Sequence, residues 1–167
     1  KDLGITDEAP EGLPTFAENA LSKAAFYRKL TTMPTFADDS GIEIDFYGGQ
    51  PGVHTRDWDG VGKRDEAYFN FIVEKIAAIP EGQRQARFTA VLVYDDGTEP
   101  LQAKASVEVV LTDKPFPAET HGYPWDRVTI IPEIGKYFED VTPEENYQFN
   151  HRRRAFEDMM TKLHARS

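Results

Sequence analysis

Residues Phe36 to Gly41 read Phe-Ala-Asp-Asp-Ser-Gly, and this stretch is the most informative in the chain. Two adjacent acids and a serine follow a short apolar run, where a segment that only filled a core would carry hydrophobic residues. We predict a short strand from Thr35 to Ala37 that ends at the acidic pair, with Gly41 turning the backbone. Adjacent strand residues face opposite sides, so one carboxylate can line a cleft while the other contacts solvent or backbone.

Carboxylates at the end of a strand suit the binding of a hard cation, because Mg²⁺ takes one or two carboxylates together with phosphate oxygens of a substrate. An Asx turn, in which Asp and Ser bond nearby N–H groups, explains the same residues without any function. Taken alone, the motif favours the turn. The other motifs of the chain therefore decide between the two interpretations.

Composition limits the class of protein. The 167 residues suffice for one domain with a real core, 40% of them are hydrophobic, and cysteine is absent from the sequence. The formal net charge of −10 disfavours a nucleic acid polymer as partner, although a local cationic pocket can still bind a small phosphorylated ligand. The sequence has no apolar run of bilayer length and no signal-peptide character, so we expect a cytoplasmic protein that does not contact membranes.

The chain alternates between helix and strand patterns. Thr15-Phe16-Ala17-Glu18 matches a capping box and predicts a helix through Leu30. Its apolar side is predicted to be Ala17, Ala20, Leu21, Ala24 and Ala25. Further strands are predicted at Ile42 to Phe46, Arg87 to Tyr94, Leu101 to Leu111 and Val128 to Ile131, and helices at Lys63 to Ile79, after Thr142, and from Asn150 to about His164. The order predicts an α/β fold with a mixed central sheet and flanking helices.

Two further groups of polar residues stand at helix starts. Asn19 and Lys23 share one face of the first helix, but a solvated charge explains Lys23, and the capping box explains Glu18. Asn150-His151-Arg152-Arg153-Arg154 precedes or opens the last helix, where cations oppose the helix dipole. An anionic or polar ligand would relieve that conflict, and a solvated helix start is the alternative.

Three blocks of sequence, in this order and spacing, resemble the inosine triphosphate pyrophosphatase family. They are Thr15-Phe16-Ala17-Glu18-Asn19-Ala20-Leu21-Ser22-Lys23-Ala24, Ala37-Asp38-Asp39-Ser40-Gly41 and Gly48-Gly49-Gln50-Pro51-Gly52-Val53. Gln85-Ala86-Arg87-Phe88, Gly122-Tyr123 and His151-Arg152 extend the similarity to nearly the whole chain. The resemblance implies two lobes around a nucleotide cleft, a homodimer, Mg²⁺ as cofactor, and hydrolysis of the non-standard purine nucleotides ITP, dITP and XTP to the monophosphate and pyrophosphate.

The resemblance also suggests a role for each candidate residue. Metal ligands would be Glu18, Asp38 and Asp39. Asp39 would activate the water that attacks the α-phosphorus, Lys23 would neutralise phosphate oxygens, and Ser40 would bond a phosphate or the sugar. His151 and Arg152 would donate to the oxygen at position 6 of the purine, which adenine lacks. Tyr123, Trp125 or His121 could stack on the base.

The chain also departs from the family pattern. The family opens with a strand and a Ser/Thr-x-Asn-x-x-Lys phosphate loop, and this sequence starts after that point, at Lys1. We therefore expect a single domain over residues 1–167 that lacks both features. His121, Pro124 and Asn146 alter the positions expected to surround the base. Two alternatives stay open: a family member with shifted base preference, and a non-catalytic nucleotide-binding homologue or fragment.

Overall fold

The structure is a computed structural model that describes residues 4–62, 65–118 and 122–166. Within them the helices are α1 (Phe16–Thr31), α2 (Glu66–Ala77), α3 (Pro143–Phe149) and α4 (His151–Arg166). The strands are β1 (Thr35–Ile44), β2 (Gln85–Asp95), β3 (Leu101–Leu111), β4 (Thr129–Ile131) and β5 (Lys136–Tyr137). Among the helices of these residues, none has the length and apolar character that a membrane span requires.

The five strands of the described residues form one sheet in the order β1-β2-β3-β4-β5. Strand β3 pairs antiparallel with β4, with Val110 opposite Ile130, and β4 pairs antiparallel with β5. Strands and helices are combined in one chain, so the predicted α/β class is confirmed.

Residue contacts divide the chain into two compact units. The first unit consists of Lys1–Ser40, Thr89–Ala105 and His151–Ser167, and the second consists of Gly41–Phe88 and Ser106–Asn150. Strands β1, β2 and β3 each contribute residues to both units. The expectation that residues 1–167 form a single domain stays a prediction.

Helix α1 of the first unit begins at the predicted threonine. Thr15 Oγ1 accepts a hydrogen bond from the N–H of Glu18 at 3.2 Å and donates one to Glu18 Oε2 at 2.8 Å. Phe16, Ala20 and Ala24 are buried at intervals of four residues, which places them on one face. Leu21 was predicted on this face but is 44% exposed, because each helical residue lies about 100° around the axis from its neighbour.

The second unit contains a hydrophobic core in which Trp125 is fully buried. Helix α2 contributes Tyr68, Ile72 and Ile76 to it, as the sequence pattern predicts. The helix is shorter than predicted because Asp65 caps it, with Oδ1 accepting from the N–H of Tyr68 at 3.1 Å. Its predicted first residue, Lys63, lies outside the described residues.

The elements that close the chain also follow local signals. Thr142 and Glu145 form a complete capping box at the start of α3, and α4 runs two residues beyond the predicted end at His164. Strand β4 begins one residue later than predicted, because a 3-10 turn occupies Pro124–Val128. The short strand β5 has no counterpart among the predictions.

Strand β1 is longer than the sequence predicts. It runs without a break through the acidic pair and Gly41 to Ile44, so the predicted strand end and the predicted turn at Gly41 are wrong, and so is the Asx-turn interpretation. Asp and Gly are poor strand formers, but contacts outside the strand decide its course. Phe46 was predicted to continue the alternation of Ile42 and Ile44, yet it lies in a 3-10 turn and is 43% exposed.

Position 41 needs glycine because the backbone of β1 passes close to a neighbouring segment. A Cβ atom added to Gly41 would lie 2.3 Å from Thr55 Oγ1 and 2.5 Å from the carbonyl oxygen of Gly52. The Thr55 hydroxyl is itself held in place: it accepts from the N–H of Ile42 at 2.9 Å and donates to Gly52 O at 2.6 Å. The glycine of the acidic motif therefore serves a close approach.

Replacing Gly41 with alanine should lower the free energy of unfolding by about 1–3 kcal/mol, the usual cost of overpacking. The added methyl group would meet a backbone carbonyl as well as Thr55, and a carbonyl cannot rotate away. Urea denaturation of both proteins, followed by circular dichroism, measures the difference. Unchanged stability in Gly41→Ala would contradict the crowding.

Candidate functional site

The acidic pair of β1 presents its two carboxylates on opposite faces of the strand. Asp38 and Asp39 are consecutive strand residues, so their side chains alternate. Asp39 forms an ion pair with Lys23 of α1, and Asp38 forms one with Arg152 of α4. The prediction that adjacent carboxylates diverge holds, and each one has a cation on its own side.

On the α1 side, one ammonium joins two carboxylates. Lys23 Nζ lies 2.8 Å from Asp39 Oδ1 and 2.9 Å from Glu11 Oε1. It also lies 3.5 Å from the backbone carbonyl oxygen of Asp38. The side chains of Lys23 and Asp39 are only 18% and 17% exposed, so this ion pair is largely withdrawn from water.

Burial and pairing shift the pKa values of this pair. Burial raises the pKa of the Asp39 carboxyl, and the hydrogen bond from Lys23 opposes the rise without cancelling it. Burial lowers the pKa of the Lys23 ammonium, but its bonds to Asp39 and Glu11 outweigh burial and leave the pKa raised. Lys23 is therefore a cation at neutral pH, and Asp39 accepts a proton more readily than an exposed aspartate.

On the α4 side, Arg152 connects the two other polar residues of the motif. Its Nε donates to Asp38 Oδ2 at 3.3 Å, and its Nη2 donates to Ser40 Oγ at 2.6 Å. Ser40 Oγ in turn donates to Asp38 Oδ2 at 3.4 Å. The Arg152 side chain is 55% exposed, so the guanidinium is accessible to a ligand.

A cavity of about 330 Å³ lies beside Arg152 in the first unit. Its lining combines an apolar part, from Ala90, Leu92 and Phe156, with the charged side chains of Asp38, Arg152 and Arg153. A mainly apolar lining with few polar groups is typical of small-molecule sites.

His151, the first residue of α4, is buried and neutral. It is 7% exposed, and burial together with the neighbouring Arg152 charge lowers its pKa to about 4, against the opposing effect of Asp38. A neutral imidazole still offers one N–H donor, so the predicted donor role of His151 is chemically available.

Glu18 lies apart from the acidic pair in its contacts, since its carboxylate bonds the hydroxyl of Thr15. Across residues 4–62, 65–118 and 122–166, no group of three or more His, Asp or Glu side chains is arranged to hold a metal ion. Glu18, Asp38 and Asp39 thus do not form a preassembled metal site. An ion at this place would need ligands from a substrate and from water.

The aromatic residues predicted near the base belong to the second unit or lie outside the described residues. Tyr123 is partly buried against the core, with its ring 6.3 Å from that of Phe88 between centroids. Trp125 is 0% exposed and stacks on Trp58, so its suggested role in stacking on a base is wrong. His121 lies outside the described residues.

Glu11 is the residue of this site that the sequence did not reveal. It lies in the irregular segment before α1, where neither periodicity nor a motif distinguishes one acid from the next. Asn19 supplies the missing constraint, because its side chain accepts from the N–H of Leu13 and donates to Leu13 O, both at 3.0 Å. The burial of Asn19 beside this acid-rich segment is a property of the folded chain, which the sequence alone does not show.

Comparisons with known proteins place the chain in a family. The sequence profile of the Ham1 family matches residues 1–162. A dITP/XTP pyrophosphatase from Escherichia coli strain K12 is 37% identical over 166 residues, which cover 97% of this chain and 82% of that protein. The solved Ham1 protein of Staphylococcus aureus matches with a TM-score of 0.85 and 26% identity, over 97% of this chain and 83% of that chain. A HAM1 protein from Coxiella burnetii matches with a TM-score of 0.84 and 27% identity, over 95% of this chain and 81% of that chain. Because the profile spans nearly the whole sequence and the fold agrees with these structures, this chain belongs to the Ham1 family.

Proposed function

We propose that this protein is a nucleoside triphosphate pyrophosphatase that hydrolyses the non-standard purine nucleotides ITP, dITP and XTP. The products are the monophosphate and pyrophosphate, and the reaction removes such nucleotides from the cellular pool. The name of the E. coli relative, a dITP/XTP pyrophosphatase, supports the substrate class. The observation that carries the proposal is the largely buried pair of Lys23 and Asp39, which brings a cation that could bind phosphate and a proton acceptor within 2.8 Å.

In the proposed reaction, Asp39 accepts a proton from the attacking water. A bond forms between the water oxygen and the α-phosphorus, and the bond from that phosphorus to the oxygen bridging to the β-phosphate breaks. Pyrophosphate leaves with the electron pair of the broken bond. Lys23 would neutralise phosphate oxygens during this step, and such positioning and charge stabilisation supply most of the catalysis in phosphoryl transfer. The raised pKa of Asp39 suits its role as a base.

Mg²⁺ is the proposed cofactor. The carboxylates of Glu11 and Asp39 both lie within 2.9 Å of Lys23 Nζ. Two carboxylates are the protein ligands that Mg²⁺ takes when phosphates and water complete its coordination shell. Glu11 and Asp39 would therefore hold the ion, and Glu18 and Asp38 stay candidates from the sequence. When bound, the ion would neutralise charge on the triphosphate and on the leaving pyrophosphate.

Base selection is assigned to His151 and Arg152, with Ser40 bonding the sugar or a phosphate and Tyr123 stacking on the purine. Both His151 and Arg152 offer N–H donors, which match the oxygen at position 6 of hypoxanthine and xanthine. Adenine presents an amine there and would leave these donors unpaired. The accessible guanidinium of Arg152, beside a cavity of about 330 Å³, supports this assignment.

We propose a homodimer in the cytoplasm that acts on free nucleotides. The net charge of −10 argues against a nucleic acid polymer as substrate, since the surface repels a polyanion.

Substrate profiling tests the proposed function. The chain is incubated with Mg²⁺ and, in separate reactions, with ITP, XTP, dUTP, GTP and ATP, and pyrophosphate release is measured. We expect release from ITP and XTP at rates well above those for GTP and ATP. The donors facing position 6 account only for the discrimination against ATP, because guanine carries the same oxygen at position 6 as hypoxanthine and xanthine. A different preferred nucleotide would favour the shifted base preference, and binding of ITP without release would favour a non-catalytic homologue.

A further inference from the structure

Lys23 occupies the position between Glu11 and Asp39 that the proposed function assigns to a divalent cation. The ammonium lies within 2.9 Å of one oxygen of each carboxylate. Two acids share one cation, so the cluster carries a formal charge of −1 and still attracts positive charge. Two N⁺–H···O⁻ contacts hold the ammonium, and such charge-assisted bonds are among the stronger ones in proteins.

The placement of Glu11 is built into the fold of the first unit. Glu11 is 63% exposed and would be free to move if its segment were loose. Asn19, which is 3% exposed, fixes that segment through its two hydrogen bonds to the backbone of Leu13. Glu11 precedes Leu13 by two residues, so its carboxylate stays within reach of Lys23 on α1. The backbone that carries Glu11 is therefore held close to α1.

We propose that Lys23 competes with the divalent cation for Glu11 and Asp39 while no nucleotide is bound. A cation arriving alone must displace the ammonium, which then loses both of its partners. A cation arriving with a nucleotide brings phosphate oxygens that can replace them. Lys23 thereby makes the site select the cation–nucleotide complex over the free ion. The inference rests on the proposed function for the divalent cation itself and for the phosphates that become the new partners of Lys23.

Metal binding to the nucleotide-free chain tests this competition directly. Wild type and Lys23→Met are titrated with Mn²⁺, a substitute for Mg²⁺, and free Mn²⁺ is followed by electron paramagnetic resonance. We expect the Kd for Mn²⁺ to fall about tenfold or more in Lys23→Met, because the lost bonds involve charged groups. Adding Glu11→Gln to Lys23→Met should reverse the gain.

Lys162→Met is the matched control. Lys162 lies on α4 and pairs with Asp158 Oδ2 at 2.7 Å, so this variant removes the same charge away from the cluster. Its Kd for Mn²⁺ should equal that of wild type. An equal gain in Lys162→Met would mean that net charge alone acts, and would overturn the proposal. An unchanged or weaker Kd in Lys23→Met would overturn it as well.

Two features keep the test decisive. Lys23→Gln removes the same charge with a polar side chain, so a folding defect of Lys23→Met does not decide the outcome. The readout also needs no turnover. A chain that hydrolyses no nucleotide can still show the gain in Mn²⁺ affinity, which would reject the proposed function alone. A chain that hydrolyses ITP without the gain would reject the competition alone.

Discussion

Replacing Asp39 with asparagine should lower the rate of pyrophosphate release from ITP by about a hundredfold to ten-thousandfold, the range of general-base contributions. Asparagine keeps the shape of the side chain but accepts no proton at neutral pH. It also removes the negative charge that Lys23 contacts at 2.8 Å, so the ammonium loses one of its two acidic partners. Initial rates at saturating ITP and Mg²⁺ measure the effect.

The matched control for this variant is Asp158→Asn. Asp158 is an acid of α4 that pairs with Lys162, and the change should leave the rate within about twofold of wild type, as surface substitutions usually do. Thermal unfolding of both variants, followed by circular dichroism, shows that the fold is kept. A wild-type rate in a folded Asp39→Asn protein would refute the assignment of Asp39 as the base.

Buried His151 should make the protein less stable as the pH falls from about 6.5 to about 4. Its pKa is about 4 in the folded chain, whereas an unfolded histidine has a pKa near 6.5. Between these values the unfolded chain binds the proton more readily, so protonation favours unfolding. Above pH 6.5 the full stability is present, and below pH 4 about 3 kcal/mol of it is lost, from 1.36 kcal/mol per pKa unit.

The variant His151→Gln isolates this contribution, because glutamine does not titrate. The free energy of unfolding, measured by urea denaturation from pH 4 to 7, should fall less steeply with acid in the variant than in wild type. His164→Gln, at the exposed end of α4, is the control that makes the same substitution at an exposed histidine. If the free energy of unfolding depended on pH with the same slope in all three proteins, the imidazole of His151 would take up its proton as easily in the folded chain as in the unfolded chain, which contradicts the prediction.

The elements that the sequence predicted well are those specified by nearby residues. Helix α1 follows from the cap at Thr15, and α3 follows from the capping box that begins at Thr142. The length of strand β1 was mispredicted because the charges of its two aspartates are paired with cations that are distant in the sequence. Asp39 bonds a residue 16 positions away, and Asp38 bonds one 114 positions away. A prediction made from neighbouring residues alone depends on strand propensity, which is poor for Asp and Gly.

The site was predictable to the extent that its residues lie in recognisable blocks. The resemblance to inosine triphosphate pyrophosphatases is confirmed at the level of family and enzyme class. It located Lys23, Asp39 and Arg152, and the structure brings Lys23 to Asp39 and Arg152 to Asp38 and Ser40. Their individual roles stay predictions. Glu11 was not predicted because its placement depends on the side-chain hydrogen bonds of Asn19, and residue spacing in the sequence does not predict those bonds.

The alternation of Asp38 and Asp39 on one strand also makes the first unit sensitive to the exact length of the segment before them. A slip of β1 by a single position would turn each carboxylate to the opposite face. Asp39 would then face Arg152, Asp38 would face Lys23, and the apolar neighbours of both would change places. An insertion or deletion of one residue between the end of α1 and Asp38 should therefore be far more damaging than a substitution there.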